Sequence, residues 1–510
     1  MMRPLDGFGE SAHSGERDTD HWHNQFPTVN SDGKLTFIDL FAGCGGLSLG
    51  LEKAGFRSVL AVEKSPMAAE TYYHNFIKRL PGGKAGDAAW AEYCQRTVRQ
   101  QIEAGLLVNE VASLLAETEY LAALASQNVD LVAGGPPCQG FSMAGRRNPN
   151  DIRNQLPWQF LDVVAAVRPK AVIIENVVGI GQDFVKSGAA APFAQLRLAL
   201  EATDPGYVVQ PMRVNAMHFG VPEHRPRMLL VGLRTDLADT HRLERGLPLW
   251  RSESSSRPLL APTPREGEPR TVDEALWDLV DTPDGLSYAA HCGAGRYSTP
   301  DGEYAREMRC DPRWFPPALP EAIPPGHPLN RTLRKHAPNI ALRFQIYQYL
   351  QSQGMKSNLL NIPTMSDLTT SERESLLGEE LSSVMFPACA PGGRVLAANL
   401  DELIYLIMRA GTRKHSQRPL RADTPSPTVM SLPDDFVHHL YPRTLAVREM
   451  ARLQSFPDLF EFRSKETTGS DRRRFEVPQY TQVGNAVPPL LATAIGAGLV
   501  PILRRTSISG

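Results

Sequence analysis

The chain has 510 residues, 42% of them hydrophobic and 22% charged, ordinary globular material long enough for a large domain and a second one. With 54 basic and 56 acidic side chains the net charge is −2, so no global positive field draws the protein to nucleic acid or an anionic membrane, and any such surface has to be local. The six cysteines, Cys44, Cys94, Cys138, Cys292, Cys310 and Cys389, are scattered without a C-x-x-C pair or histidines at zinc-ligand spacing, which supports neither a disulfide framework nor a zinc site.

Residues 1–34 are polar and lack apolar periodicity, as in a mobile tail, and His21 and His23 there read as solvated groups. They lack the apolar core of a signal peptide, and no apolar window is expected to reach membrane-span length, so a cytoplasmic protein is expected. From residue 35 the pattern changes to a short apolar run (35–41), a glycine turn (43–46), an amphipathic helix (47–54) and a second strand (58–63). Buried strands recur at 129–133, 171–175, 207–214 and 228–233, with a helix at 155–167. That alternation predicts an α/β fold, an open doubly wound, mostly parallel sheet. Residues 95–125 read as a helical insertion. After residue 233 the alternation fails and prolines, aromatics and basic residues dominate, which predicts a second, irregular domain over 234–415. Helices are expected at 445–454 and 486–503.

Three strand ends carry chemistry. The first strand feeds Phe41-Ala42-Gly43-Cys44-Gly45-Gly46 at the carboxyl edge of the sheet, where ligands of such folds bind. The turn has neither dinucleotide nor P-loop spacing and no basic residue to meet a pyrophosphate, so a phosphate-free nucleoside fits it better. Glu63, closing the second strand, is placed to accept hydrogen bonds from two ribose hydroxyls. After the strand ending at Ala133 comes Gly134-Gly135-Pro136-Pro137-Cys138-Gln139-Gly140. A lone cysteine is more often a small buried hydrophobe, but one held between Pro-Pro and glycine at a strand end is presented as a nucleophile. Glu175 ends the next strand on the same edge, so nucleophile and acid can converge.

These segments resemble the ordered motifs of the DNA (cytosine-5)-methyltransferase family, in particular the bacterial enzymes of restriction-modification systems. The resemblance continues through His218-Phe219-Gly220-Val221-Pro222-Glu223-His224-Arg225-Pro226-Arg227, through Arg443-Thr444-Leu445-Ala446-Val447-Arg448-Glu449 to Arg452-Leu453-Gln454-Ser455-Phe456-Pro457, and ends at Gln482-Val483-Gly484-Asn485-Ala486-Val487-Pro488-Pro489. It covers 35–233 and 416–510, and the family keeps its target-recognition domain between them. Glu223 is a departure, since the family usually has glutamine there.

The resemblance implies a fold of the S-adenosylmethionine-dependent methyltransferase type and transfer of a methyl group from S-adenosyl-L-methionine to carbon 5 of cytosine in double-stranded DNA, with no metal. It implies that the Cys138 thiolate adds to carbon 6, that Glu175 acts as acid at ring nitrogen 3 and on the exocyclic amine, and that Arg227 holds the carbonyl oxygen, with Arg225 and Arg227 favouring the thiolate. Phe41, Gly43, Cys44, Gly46, Glu63, Asp87, Pro137 and Asn485 match the positions that enclose the donor, Asp87 as the acid on adenine.

Carbons 5 and 6 are out of reach inside a stacked duplex, so the base has to be flipped out. The loop 143–153, with Arg146, Arg147 and Arg153, is then expected to fill the gap and contact phosphates. Basic clusters at 331–336, 413–421 and 472–474 are further candidates for the DNA backbone. A monomer is expected, as is a cognate restriction endonuclease encoded nearby as a functional partner. Two alternatives stay open: a transfer-RNA cytosine-5 methyltransferase, and a DNA-binding homologue that has lost catalysis.

Overall fold

The computed structural model describes residues 33–137, 155–181, 191–279, 302–314, 328–469, 472 and 475–505. Its centre is a mixed sheet built from β1 (Leu35–Leu40), β2 (Phe56–Val62), β3 (Leu106–Leu107), β4 (Leu131–Gly134), β5 (Ala171–Val177), β6 (Tyr207–Asn215), β8 (Pro226–Arg234) and β9 (Trp250–Arg251); the short β7 (Glu223–His224) lies outside it. The spatial order is β3-β2-β1-β4-β5-β8-β6-β9. Every neighbouring pair is parallel except the two made by β8, which runs antiparallel to both β5 and β6. This is the expected fold class, and strand order reverses between β1 and β4, the place where the carboxyl ends of an open sheet leave a crevice.

β1 is buried on both faces because its side chains alternate between two cores. Leu35 and Phe37 pack with helices α1 (Gly46–Lys53) and, from the far end of the chain, α6 (Pro489–Arg505), named here with α2 (Gly83–Cys94), α3 (Leu156–Val167), α4 (Val447–Leu453) and α5 (Gln479–Asn485). Ile38 and Leu40 pack with α3 on the opposite face. Asp130 ties the amino ends of three strands: its carboxylate accepts from Thr36 N at 2.8 Å and pairs with Lys170 Nζ at 2.7 Å.

The closing helix α6 lies directly along α1. A Cβ on Gly46 would stand 2.3 Å from Val487 O, and one on Gly50 2.3 Å from Pro489 O. The two glycines, one helical turn apart, therefore let the backbones touch. Gly46→Ala is expected to lower stability by about 1–3 kcal/mol through overpacking, read as a lower thermal midpoint.

Residues 95–125 are largely helical, as expected, and also contain β3, which extends the sheet at its edge by pairing Leu106 with Ala61 and Leu107 with Val62. Two expectations need correction. The stretch Gln479–Arg505 does pass a membrane-span test by length and hydropathy, yet 61% of its apolar window is buried and α6 is a core helix of the sheet. The chain from 234 does not leave the first core at once: Trp250, Leu260, Val272, Leu276, Tyr304 and Trp314 pack into the same cluster as β1 and α6. A separate core gathers Phe344, Tyr347, Leu360, Leu377, Leu403 and Ile407, from helices Pro338–Ser352, Thr370–Glu380 and Leu400–Ala410 and the 3-10 helix Ser357–Thr364.

Candidate active site

The crevice between β1 and β4 is lined by two loops. On the β1 side, Phe41 adopts φ 61°, a region that costs a bulky residue on the order of 1–3 kcal/mol and is kept where a turn is over-determined by its surroundings. Glu63, at the end of β2, accepts Gly43 N–H at 2.9 Å on one oxygen and Ser65 N–H at 2.7 Å on the other. Burial pushes the Glu63 carboxyl upward, and these two N–H groups act against it. Beneath the turn, burial raises fully buried Asp39 to about 7, although Ser48 Oγ donates to it at 2.6 Å; its other oxygen has no hydrogen-bond partner.

Nothing lies within 4 Å of where a Cβ on Gly43 would be, and Asn485 is exposed at the end of α5. An open cradle with a carboxylate and no basic group bonded to it suits an uncharged nucleoside better than a phosphate. Cys44 turns inward: its thiol donates to Gln482 O at 3.7 Å and burial pushes it up to about 12, so only its backbone faces the turn. Gln482 ties the return segment down, accepting from Thr71 Oγ1 at 2.7 Å and donating to Met67 O at 3.1 Å.

On the β4 side, Glu175 is 9% exposed and pairs through Oε1 with Arg227 Nε at 2.8 Å. The register explains the meeting, since β5 and the antiparallel β8 set Glu175 opposite Leu229 and Val177 opposite Arg227. Glu175 Oε2 lies 3.2 Å from where a Cβ on Gly135 would stand, so the carboxylate rests against the loop that leads to Pro137. Asn176 Nδ2 donates to Pro136 O at 2.9 Å and fixes the same loop. Burial, then the Arg225 cation, push Arg227 down to about 10, while Glu175 pulls it up; it stays protonated at neutral pH.

Arg225 does something else. Its Nη1 donates to Glu223 Oε1 at 3.1 Å and Val429 O at 3.4 Å, and its Nη2 to Gly484 O at 2.7 Å and Ala486 O at 3.0 Å. All four terminal N–H groups are thereby engaged. Among the described residues Arg227 is held only by the Glu175 pair and by Pro226 O at 2.9 Å.

The predicted residues do not all converge. Asp87 is exposed on α2 and not at a strand end. Asn109 is the second residue beyond β3, close to the bond from Glu63 N–H to Leu107 O at 3.0 Å. A two-residue strand offers no periodic signal by which sequence could have found it. Cys138, Arg146, Arg147 and Arg153 lie outside the described residues, as do Arg473 and Arg474. Among the other basic clusters, Arg331 is buried and paired with Glu449 at 3.5 Å, while Arg334 and Lys414 both pair with Asp434. Arg413, Arg418 and Arg421 are exposed. Among the described residues no group of three or more His, Cys, Asp or Glu side chains could hold a metal ion.

A model of the C-5 cytosine-specific DNA methylases matches residues 35–291 and 348–500. The chain belongs to that family. As a cytosine-5 DNA methylase it methylates DNA with S-adenosyl-L-methionine as donor. The methylase is 31% identical over 484 residues to the type II methyltransferase M.XorII of Xanthomonas oryzae pv. oryzae, covering 92% of this chain and 85% of that protein. It is 28% identical over 466 residues to M.DdeI of Desulfomicrobium norvegicum, covering 90% and 87%. Among solved structures, a protein encoded within an Escherichia coli prophage shares the fold of the methylase with TM-score 0.51 and 22% identity, over 92% of this chain and 99% of that one.

Proposed function

We propose that the methylase acts on one duplex DNA sequence by flipping the target cytosine against Glu175 and Arg227 and attacking it with Cys138. The observation that carries this reading is the Arg227–Glu175 pair resting on Gly135, three residues before Cys138. The Cys138 thiolate forms a bond to carbon 6 while Glu175 supplies a hydrogen bond or proton at ring nitrogen 3, which leaves carbon 5 electron-rich. S-adenosylmethionine supplies the methyl group that carbon 5 takes. Loss of the carbon 5 proton then breaks the carbon–sulfur bond and frees the thiolate. Arg227, with Nη2 outside its two bonds, holds the carbonyl oxygen of the base. Arg146, Arg147 and Arg153 contact phosphates around the vacated position.

Phe41, Gly43, Cys44 and Gly46 by their backbone, Glu63 by its carboxylate, and Pro137 and Asn485 from the facing loops enclose the donor. Asn109, in place of Asp87, stands where adenine would meet the edge of the sheet. The relatives are named type II methyltransferases, which supports a protective role beside a restriction endonuclease. The protein acts as a monomer in the bacterial cytoplasm, and the body built around Phe344–Ile407 reads the target.

Duplex DNA carrying 5-fluorocytosine, incubated with the donor, is expected to trap a covalent adduct on the wild-type protein and none on Cys138→Ala. No adduct on any DNA tested would sink the covalent reading. Labelled methyl transfer to DNA and transfer RNA side by side is expected to label DNA alone.

A further inference from the structure

We propose that Glu223 and Arg225 form a positioning strut that transmits occupancy of the donor side of the site to the side that grips the target base. The proposal rests on the reading of Glu175 and Arg227 as groups that face the base.

Three chain segments far apart in sequence meet at this pair. The first is 223–227, which carries Arg227 and so leads to Glu175. The second is 426–430: Ser426 and Pro427 pair in parallel with Glu223 and His224, Thr428 Oγ1 donates to His224 O at 2.8 Å, and Val429 N–H donates to Glu223 Oε1 at 2.7 Å. The third is 484–486, whose carbonyls at Gly484 and Ala486 flank Asn485 and both accept from Arg225 Nη2.

Little slack is left between these segments. Glu223 is 0% and Arg225 2% exposed, and a Cβ on Gly484 would stand 2.7 Å from the carbonyl of Met430. A planar guanidinium that donates to four acceptors fixes their mutual angles, which an ammonium on a flexible stem cannot do. Moving the Asn485 peptide to meet the donor therefore moves Arg225, and with it the strand that carries Arg227 and the loop that carries Val429. Among the described residues Glu223 Oε2 has no hydrogen-bond partner. The functional atom is thus Oε1, which accepts from both Arg225 and Val429, and a glutamine carbonyl can replace it.

The test measures linkage, which has to be reciprocal between the two ligands. The probes are S-adenosylhomocysteine and a fluorescent duplex bearing the sequence that the enzyme methylates, found by methylome sequencing of an expressing host. In the wild type, S-adenosylhomocysteine is expected to tighten duplex binding by about fivefold or more, and the duplex to tighten S-adenosylhomocysteine equally. Arg225→Lys and Glu223→Ala are expected to bring that factor below about twofold, and Glu223→Gln to restore it.

Hydrogen exchange gives a readout without any variant: the Val429 amide of the wild type is expected to exchange more slowly once S-adenosylhomocysteine is bound. The strut is overturned by a wild-type factor below twofold, by variants that keep the full factor, or by unchanged Val429 exchange. In those cases adduct formation on 5-fluorocytosine DNA persists if the catalytic reading holds, so the two failures are distinguishable.

Discussion

Glu175→Gln is expected to lower the single-turnover methylation rate by about 10²–10⁴-fold, the usual range for removal of a positioned acid. The substitution is nearly isosteric and keeps an oxygen for Arg227 Nε, now 2.8 Å from the carboxylate. The thermal midpoint should therefore stay close to that of the wild type. Affinity for S-adenosylhomocysteine should also hold, because the turn proposed to hold the donor is built on β1 and β2 and bonded by Glu63, not by Glu175. What the amide lacks is a proton to place on the ring as the thiolate adds. A loss under about tenfold in rapid-quench methyl transfer would remove Glu175 from the acid role.

Arg452→Ala is expected to destabilise the protein by about 3–5 kcal/mol, the cost of breaking a buried ion network by removing one partner. All five N–H groups of Arg452 are bonded. Nε and Nη2 reach Asp458 at 2.5 and 2.7 Å, Nη1 and Nη2 reach Asp278 at 3.0 and 3.1 Å, and Nη1 also reaches Ala275 O at 3.1 Å. Arg452 is 0% exposed, and the two aspartates are 1% and 3% exposed. The carboxylates left behind are buried away from water. Arg309 lies 3.3 Å from Asp278 and Arg448 4.0 Å from Asp458, and neither replaces the five bonds of Arg452.

Against a typical total of about 5–15 kcal/mol such a loss is large, and it should appear as a much lower denaturant midpoint. Because the network is buried, its effect should change little with added salt, unlike a surface pair. Loss of stability that vanishes at high salt would show that the network is solvated.

The Arg452 network explains why a stretch that resembles a family motif from 443 to 457 carries so much charge. Arg443 grips Glu449 with two bonds of 2.7 Å, and Arg448 donates to Leu329 O and Pro457 O at 2.9 Å. These arginines hold α4 against the chain that precedes the separate helical core and against the segment that returns to the sheet.

Composition and pattern determined the sheet by themselves. Apolar runs at 35–41, 129–133 and 171–175 became β1, β4 and β5, because a strand buried on both faces reads as a nearly continuous apolar run. Gly43, Gly135 and Glu175 then fall at one edge, since parallel neighbours bring their carboxyl ends together. Tertiary structure alone decided the rest. β3 is two residues long, held by its pairing with β2 and not by any local preference, which is why Asp87 stood in for the strand end that Asn109 follows. Trp250, Leu260, Val272, Leu276, Tyr304 and Trp314 join the first core through contacts with helices hundreds of residues away in sequence, for which local composition carries no signal. Arg225 and Arg227 are two residues apart in the same motif, yet one is filled by the carbonyls of the returning segment and the other turns to Glu175. A guanidinium takes its role from the acceptors that folding brings to it, and those lie beyond the reach of its sequence neighbours.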